Sequence, residues 1–379
     1  MIRILHVIGS MDCGGAESLI MDIFRGIDKN KIMFDFAVHT TKKGYFDDEI
    51  KLLGGRIYYF TKFNGFNRRK YKKEWDIFLT KHPEYTIIHG HIGSSAALYL
   101  GVAKKHGLYT IAHSHSAGFD KTIRGLGNRF FSFKTRFVAD YFFGCSGKAG
   151  LNTYGKKVFN DKNKYSPLIN GINANKYFID KSTRDSIRTK YCIPNDAIVI
   201  GNVGRLTYAK NHPYLLNVFR ELSLRGIDCY LLLVGDGDYK QKIIDLSTKY
   251  GIKEKVILTG FVSDVEKYLN AMDFYVFPSF YEGLPISVVE AQANGLCCLI
   301  SDTITKEVCL TDLVTYFSIK NNPNTWCDFL INNLGYYRKE RIADIKKSGF
   351  DIIETISFLE TFYLDKYNRI GELKDDKKK

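Results

Sequence analysis

With 379 residues, 45% of them hydrophobic and 25% charged, the chain is long enough to bury two domain cores and too apolar for a disordered protein. Its net charge of +14 is uneven, since residues 1–170 carry 27 Lys and Arg against 14 Asp and Glu while the remainder carries 28 against 27. The opening MIRILHVIGSMDCGG breaks at glycine too soon for a signal peptide, no uncharged run nears the ~18 residues of a membrane span, and the eight cysteines show no C-x-x-C spacing, so a cytoplasmic chain with free core thiols is expected.

IRILHVIG reads as a first strand and GGAESLIMDIFRGI as an amphipathic helix; FDFAVHT, YTIIHGH, LYTIAHSH and ADYFFGCS follow as further strands. The pattern is interrupted at SPLINGINANKY, residues 166–177, where proline, glycine and asparagines cluster, and resumes in AIVIGNVG, CYLLLVGDG, KVILTGF, DFYVFPS and LCCLIS. Near-continuous apolar strands separated by helix-length segments predict parallel sheets covered on both faces. The expected fold is therefore α/β, with two doubly wound Rossmann-like domains. The boundaries read as 1–170 and 171–354, with a terminal helix near 355–371 free to pack back on the first domain and a charged tail at 372–379.

Polar residues gather where strands should end. In the first domain Gly14 and Gly15 separate the first strand from its helix, in a pattern that is neither G-x-G-x-x-G nor a P-loop. His113 and His115 close a later strand in YTIAHSH, with no acidic partner nearby and no third ligand at metal-site spacing, which leaves a structural role or a polar contact in an active site. In the second domain the strand of AIVIGNVG runs into Gly204, Arg205 and Lys210, two cations after a glycine bend, suited to clamp a diphosphate.

The stretch YEGLPISVVEAQANG, residues 281–295, follows a strand and starts a helix at Gly283 and Pro285, with Pro285 at the first helical position. Glu282 then lies on the loop and Glu290 inside the helix, separated by a rise of about 8 Å. Between them is a helix N-terminus, whose free N–H groups and dipole favour phosphate, so a diphosphate on the helix start could leave one carboxylate for the hydroxyls of each flanking group. A glycosidase-type acid–base pair is the alternative, weakened because the two carboxylates differ in depth and direction.

Together GGAE (14–17), GNVGRLTYAKN (201–211), LLLVGDGD (231–238), LTGFVSDV (258–265) and PSFYEGLPISVVEAQANG (278–295) resemble the retaining glycosyltransferases of family 4, of GT-B fold, in the group that builds bacterial exopolysaccharides and capsules. The resemblance spans nearly the whole chain, and the E-x7-E from Glu282 to Glu290 is its signature. It implies two domains facing across a cleft and transfer of a hexose or N-acetylhexosamine from a nucleotide-sugar, with a lean to UDP, onto a lipid-linked or oligosaccharide acceptor. Arg205 and Lys210 would bind the donor diphosphate, Glu290 the ribose, and Glu282 the donor sugar. Gly204 would provide the bend beside the cations, the backbone of Gly283, Leu284, Pro285 and Ile286 would meet the phosphates, and Phe261 and Val262 would edge the base. Gly14 and Gly15 would cover the phosphates from the other domain, and His113, in preference to His115, would lie near the reacting sugar. No cofactor and no metal are implied. Where many members have a proline after the signature helix, this chain has Cys297 and Cys298.

The basic excess has one further reading. NRRKYKK (67–73) and IRGLGNRFFSFKTRFVADYFF (123–143) combine cations with phenylalanines, as in stretches that lie on an anionic membrane, so a peripheral position at the inner face of the cell membrane is expected. Nucleic acid is not expected as a partner, because no binding module accompanies the charge. A sugar-nucleotide epimerase of the same fold is the nearest rival, and it lacks the E-x7-E context.

Overall fold

The computed structural model describes residues 1–12, 14–115 and 131–376, and the chain divides into two compact units, Met1–Gly171 with Ile352–Lys379, and Ile172–Asp351. The first unit is built on seven strands, β1 (Ile2–Ile8), β2 (Ile32–Val38), β3 (Ile57–Tyr59), β4 (Ile87–Gly90), β5 (Tyr109–Ser114), β6 (Tyr141–Gly144) and β7 (Tyr165–Pro167), in the order β3-β2-β1-β4-β5-β6-β7. The second has six, β8 (Ile198–Val203), β9 (Cys229–Val234), β10 (Val256–Leu258), β11 (Phe274–Phe277), β12 (Cys297–Ser301) and β13 (Val314–Phe317), in the order β10-β9-β8-β11-β12-β13. Every neighbouring pair is parallel. The cause is visible in the strands themselves: all seven residues of β2, IMFDFAV, are buried, as a strand covered on both faces requires.

On one face of the first sheet the helix Gly15–Gly26 and the terminal helix Ile352–Asp376 share a core in which Ile20, Ile23 and Phe24 meet Leu359, Phe362 and Tyr363. On the other face the helices Arg68–Lys81 and Gly93–Lys105 contribute Tyr71, Trp75, Tyr99 and Leu100. In each sheet the strand order reverses once, between β1 and β4 and between β8 and β11. Crevices at the carboxyl ends of such strands are where open α/β sheets bind ligands.

Some details differ from the sequence reading. The edge strands β3, β7 and β13 were not anticipated; they have three or four residues and are only partly covered, so they leave a short, weak apolar signal. The terminal helix continues to Asp376, into the charged stretch read as a tail. Pro285 is the N-cap of its helix, with φ −76° and ψ 96°, because that extended ψ places it outside the helix that begins at Ile286. Among the described cysteines all are free; Cys145, Cys229, Cys297, Cys298 and Cys327 are buried, Cys192 and Cys309 exposed.

The second unit is pinned at the start of β11 by a partly buried ion cluster. Arg184 and Arg188 donate to the two oxygens of Asp273 at 2.6 and 2.7 Å, and Arg188 is fully buried. Its other nitrogens donate to the carbonyls of Ala271, Pro194, Asn195 and Ala197, which satisfies the guanidinium fork.

Candidate active site

At the end of β8, Gly204 has φ +149°, and a Cβ there would stand 2.8 Å from Lys210 Cε. Gly204 N donates to Val234 O and Leu206 N to Asp236 O, both at 2.9 Å, so the loops after β8 and β9 run backbone against backbone. Gly235, at φ +138°, has no room for a side chain, since a Cβ would meet Gly204 O at 2.2 Å. Its N–H donates to Gly260 O at 3.0 Å, which joins the loop after β10, with exposed Phe261 and partly buried Val262, to the same rim.

The chain then makes a 3-10 turn, Tyr208–Lys210, and Asn211 enters the left-handed region at φ +52° before the helix His212–Leu224. Asn211 Nδ2 donates to Pro278 O at 3.2 Å and Phe280 N donates to Ala209 O at 2.8 Å. These bonds fix the loop after β8 against the loop after β11. Their result is that Lys210 Nζ sits 2.9 Å from Glu282 Oε1, with only 14% and 17% of the two side chains exposed, and 4.5 Å from the centre of the Phe277 ring. Arg205 stands exposed on the same loop.

Beyond Glu282, Gly283 and buried Leu284 lead to Pro285 and the helix Ile286–Ala293, whose start no side chain caps. Tyr275 donates its hydroxyl proton to Ser287 Oγ at 2.8 Å, which ties the first turn of the helix to β11. Glu290 Oε1 accepts from the Tyr177 hydroxyl at 2.7 Å. The two glutamates therefore have different chemistries, Glu282 facing a cation and Glu290 held by a phenol. Tyr177, from the 3-10 turn Ala174–Tyr177, was missed in the sequence; the available signal was that a carboxylate in a nearly apolar helix needs a donor, which does not say where the donor comes from.

The remaining candidates belong to the first unit. Gly14 is the N-cap of the helix Gly15–Gly26, and a Cβ on Gly15 would meet nothing within 4 Å. His113 lies in β5, buried, with neither ring nitrogen hydrogen-bonded. It is one of five histidines brought together: His6 in β1, His89 in β4, His91 just beyond it, His113, and His115 just beyond β5. His91 N donates to Val7 O at 2.8 Å, which draws the end of β4 to β1. His6 Nδ1 lies 3.0 Å from His91 Nε2, His91 Nδ1 lies 2.9 Å from His115 Nε2, and His89 Nδ1 lies 2.6 Å from the Tyr363 hydroxyl. Burial disfavours their charged forms, lowering His6 to about 3 and His115 to about 4, and lowering His89, His91 and His113 as well, so all five are neutral imidazoles at pH 7.

The sequence reading named His113 and His115 but not His6, His89 or His91, and found no third ligand at metal spacing. That spacing exists across strands. The HGH of YTIIHGH stands beside the HSH of YTIAHSH because β4 and β5 are parallel neighbours with both motifs at their carboxyl ends.

Of the two basic stretches, the first lies on the helix Arg68–Lys81, where Arg68, Arg69, Lys70 and Lys73 are exposed and Tyr71 and Trp75 are buried. In the second, residues 123–130 lie outside the described residues. Phe133 and Phe137 are exposed, with Arg136 stacked over Phe133, whereas Phe142 and Phe143 are core residues of β6. Among the described residues no helix is long and apolar enough to cross a membrane.

Residues 183–328 match the family model Glycosyl transferases group 1. EpsF of Bacillus subtilis (strain 168) is 28% identical over 370 residues, covering 95% of this chain and 96% of its own length. The capsular polysaccharide biosynthesis glycosyltransferase CapH of Staphylococcus aureus is 26% identical over 382 residues, covering 97% and 99%. The crystal structure of Anabaena HepE in complex with UDP and glucose matches with a TM-score of 0.79 at 16% identity, over 96% of this chain and 99% of that one. At that identity the likeness is one of fold, and the fold is GT-B.

Proposed function

With residues 183–328 a glycosyl transferases group 1 domain on a GT-B scaffold, we propose that the protein is a retaining, metal-independent glycosyltransferase of family 4. It moves a hexose or N-acetylhexosamine from a UDP-sugar to a lipid-linked or oligosaccharide acceptor in bacterial surface polysaccharide synthesis. The observation that carries this reading is the Lys210–Glu282 pair, largely buried where the order of the second sheet reverses and next to a helix start that no side chain caps. The name of CapH supports the polysaccharide setting, and the UDP bound in the HepE structure supports the nucleotide.

In this proposal the diphosphate lies on the backbone of Gly283, Leu284, Pro285 and Ile286, with Arg205 and Lys210 as its cations. Glu290, oriented by Tyr177, accepts from the ribose hydroxyls, Glu282 accepts from hydroxyls of the donor sugar, and Phe261 and Val262 edge the base. In the first unit Gly14 and Gly15 are assigned to the donor phosphates and His113 to the reacting sugar. The anomeric C–O bond to the diphosphate breaks as the acceptor oxygen bonds to the same face of the sugar, and the acceptor's proton passes to the departing phosphate. Two cations and a helix N-terminus stabilise the charge that develops on that phosphate. The exposed Arg68, Arg69, Lys70 and Lys73, with Phe133 and Phe137, give the first unit a surface suited to the inner face of an anionic membrane.

Calorimetric titration with UDP and GDP, followed by a donor-hydrolysis screen across UDP-sugars, tests the proposal. UDP is expected to bind, Glu290→Ala to abolish measurable binding, and Tyr177→Phe to weaken it about tenfold, the cost of one hydrogen bond to a charged group, with kcat little changed. Failure of UDP and GDP to bind, or equal binding in wild type and Glu290→Ala, would sink the donor assignment. Conversion of a UDP-sugar to its epimer without transfer would favour an epimerase.

A further inference from the structure

The histidine cluster of the first unit holds more than one active-site residue explains. His6, His89 and His91 each offer a ring nitrogen, and the three nitrogens lie within 4.8 Å of one another. Beside them is a cavity of about 10 Å³ that His113 and Tyr363 also line, closed on its other sides by Leu19, Ile20, Ile23, Phe34, Leu168 and Leu359. His6 Nε2, His89 Nε2 and both nitrogens of His113 are buried without a hydrogen-bond partner. An unpaired buried polar group costs on the order of 1–3 kcal/mol, so several within one histidine cluster weigh against packing as their whole role. A cation among these rings would take the lone pair of His89 Nε2 and replace the hydrogen bond between His6 Nδ1 and His91 Nε2.

We infer that His6, His89 and His91 form a binding site for one divalent transition-metal ion of the kind that prefers imidazole, with Zn²⁺, Ni²⁺ and Cu²⁺ as the fitting class. The 3.0 Å between His6 Nδ1 and His91 Nε2 approaches the roughly 3.3 Å that separates two ligands of a tetrahedral ion with bonds near 2.0 Å. The triad has no carboxylate, so hard cations such as Ca²⁺ and Mg²⁺, which take oxygen ligands, do not fit. Tyr363, fully buried on the terminal helix, bonds to His89 Nδ1 and leaves His89 Nε2 as the ligand atom, the arrangement by which a second residue orients a metal-bound imidazole. The second triad, His91, His113 and His115, shares one member, but His115 does not line the cavity. The site departs from the metal-free expectation for these histidines; it does not depend on the transfer reading, whose cations are Arg205 and Lys210.

The test uses the full chain, stripped with EDTA and titrated with Co²⁺ while its visible ligand-field absorption is followed, then competed with Zn²⁺. One equivalent should bind with the intense absorption of low-coordinate Co²⁺ and be displaced by Zn²⁺. His6→Ala and His89→Ala should lose binding, with circular dichroism as the check on folding. Tyr363→Phe, which keeps the core volume, should weaken binding by about 10- to 100-fold and remains informative if the histidine variants do not fold. His106→Ala, which removes an exposed imidazole bonded to Asp76, should change nothing. The assignment is overturned if the folded wild type binds no Co²⁺, if Tyr363→Phe binds as wild type does, if His106→Ala abolishes binding, or if His115→Ala abolishes it while His6→Ala and His89→Ala retain it.

Discussion

Replacing Lys210 with alanine is expected to lower the rate of sugar transfer by about 10²- to 10³-fold at saturating donor, the range found when a single preorganised charge-stabilising group is removed from an active site. Lys210 is placed for this effect by loop geometry: the Asn211 and Phe280 hydrogen bonds hold its turn against the loop of Glu282, and its side chain is only 14% exposed. In so dry a place its charge acts at low effective dielectric. The loss should fall on kcat more than on donor affinity, because a departing diphosphate carries more charge in the transition state than in the bound donor. Gly204→Ala should reproduce part of the defect with Lys210 intact, since the new Cβ would stand 2.8 Å from Lys210 Cε and the backbone sits at φ +149°. Steady-state kinetics together with calorimetry separates the two parameters. A fall in kcat smaller than tenfold in Lys210→Ala would mean that the ammonium is not aimed at the reacting phosphate.

How far the site could be read in advance followed from the range of each signal along the chain. Strands buried on both faces announce themselves as apolar runs, so the central strands and the doubly wound order were legible in IRILHVIG, AIVIGNVG and DFYVFPS. The edges β3, β7 and β13 are short and half-covered, and nothing in three or four residues distinguishes them from loop. Glycines 204 and 235 mark a bend in the sequence, but that the one leaves room for the carbonyl of the other emerges only from two loops meeting. Lys210 and Glu282 were each visible; their 2.9 Å pairing depends on Asn211 and Phe280 stitching segments about 70 residues apart. Tyr177 lies 113 residues from Glu290, with no local pattern to connect them. The histidines are the instructive miss. HGH and HSH occupied the ends of two predicted strands, and parallel neighbours bring equivalent ends together, so their meeting followed from the predicted topology once strand order was considered.

Asp273→Ala should destabilise the second unit by about 3–5 kcal/mol, the cost of leaving the buried Arg188 guanidinium without its anion, against a total stability of about 5–15 kcal/mol for a domain. The carboxylate bonds to Arg184, to Arg188 and to Val199 N, at 2.6, 2.7 and 2.7 Å, and Arg188 is fully buried. Removing Asp273 leaves that guanidinium surrounded by carbonyls, which accept its hydrogen bonds but carry no compensating charge. Arg188→Met should cost less, because Asp273 keeps its bonds to Arg184 and Val199 and a long apolar side chain fills the space. The two tryptophans allow the measurement in a chain that is not two-state as a whole: Trp326 is buried in the second unit and Trp75 in the first. With single-tryptophan variants in urea, the Trp326 transition of Asp273→Ala should move to lower denaturant by about 2 M, taking a slope near 2 kcal/mol/M, and that of Arg188→Met by less. The Trp75 transition serves as the internal reference. A shift of the Trp326 midpoint below about 0.5 M, or a larger shift in Arg188→Met than in Asp273→Ala, would show that the pair is not what holds this corner of the sheet.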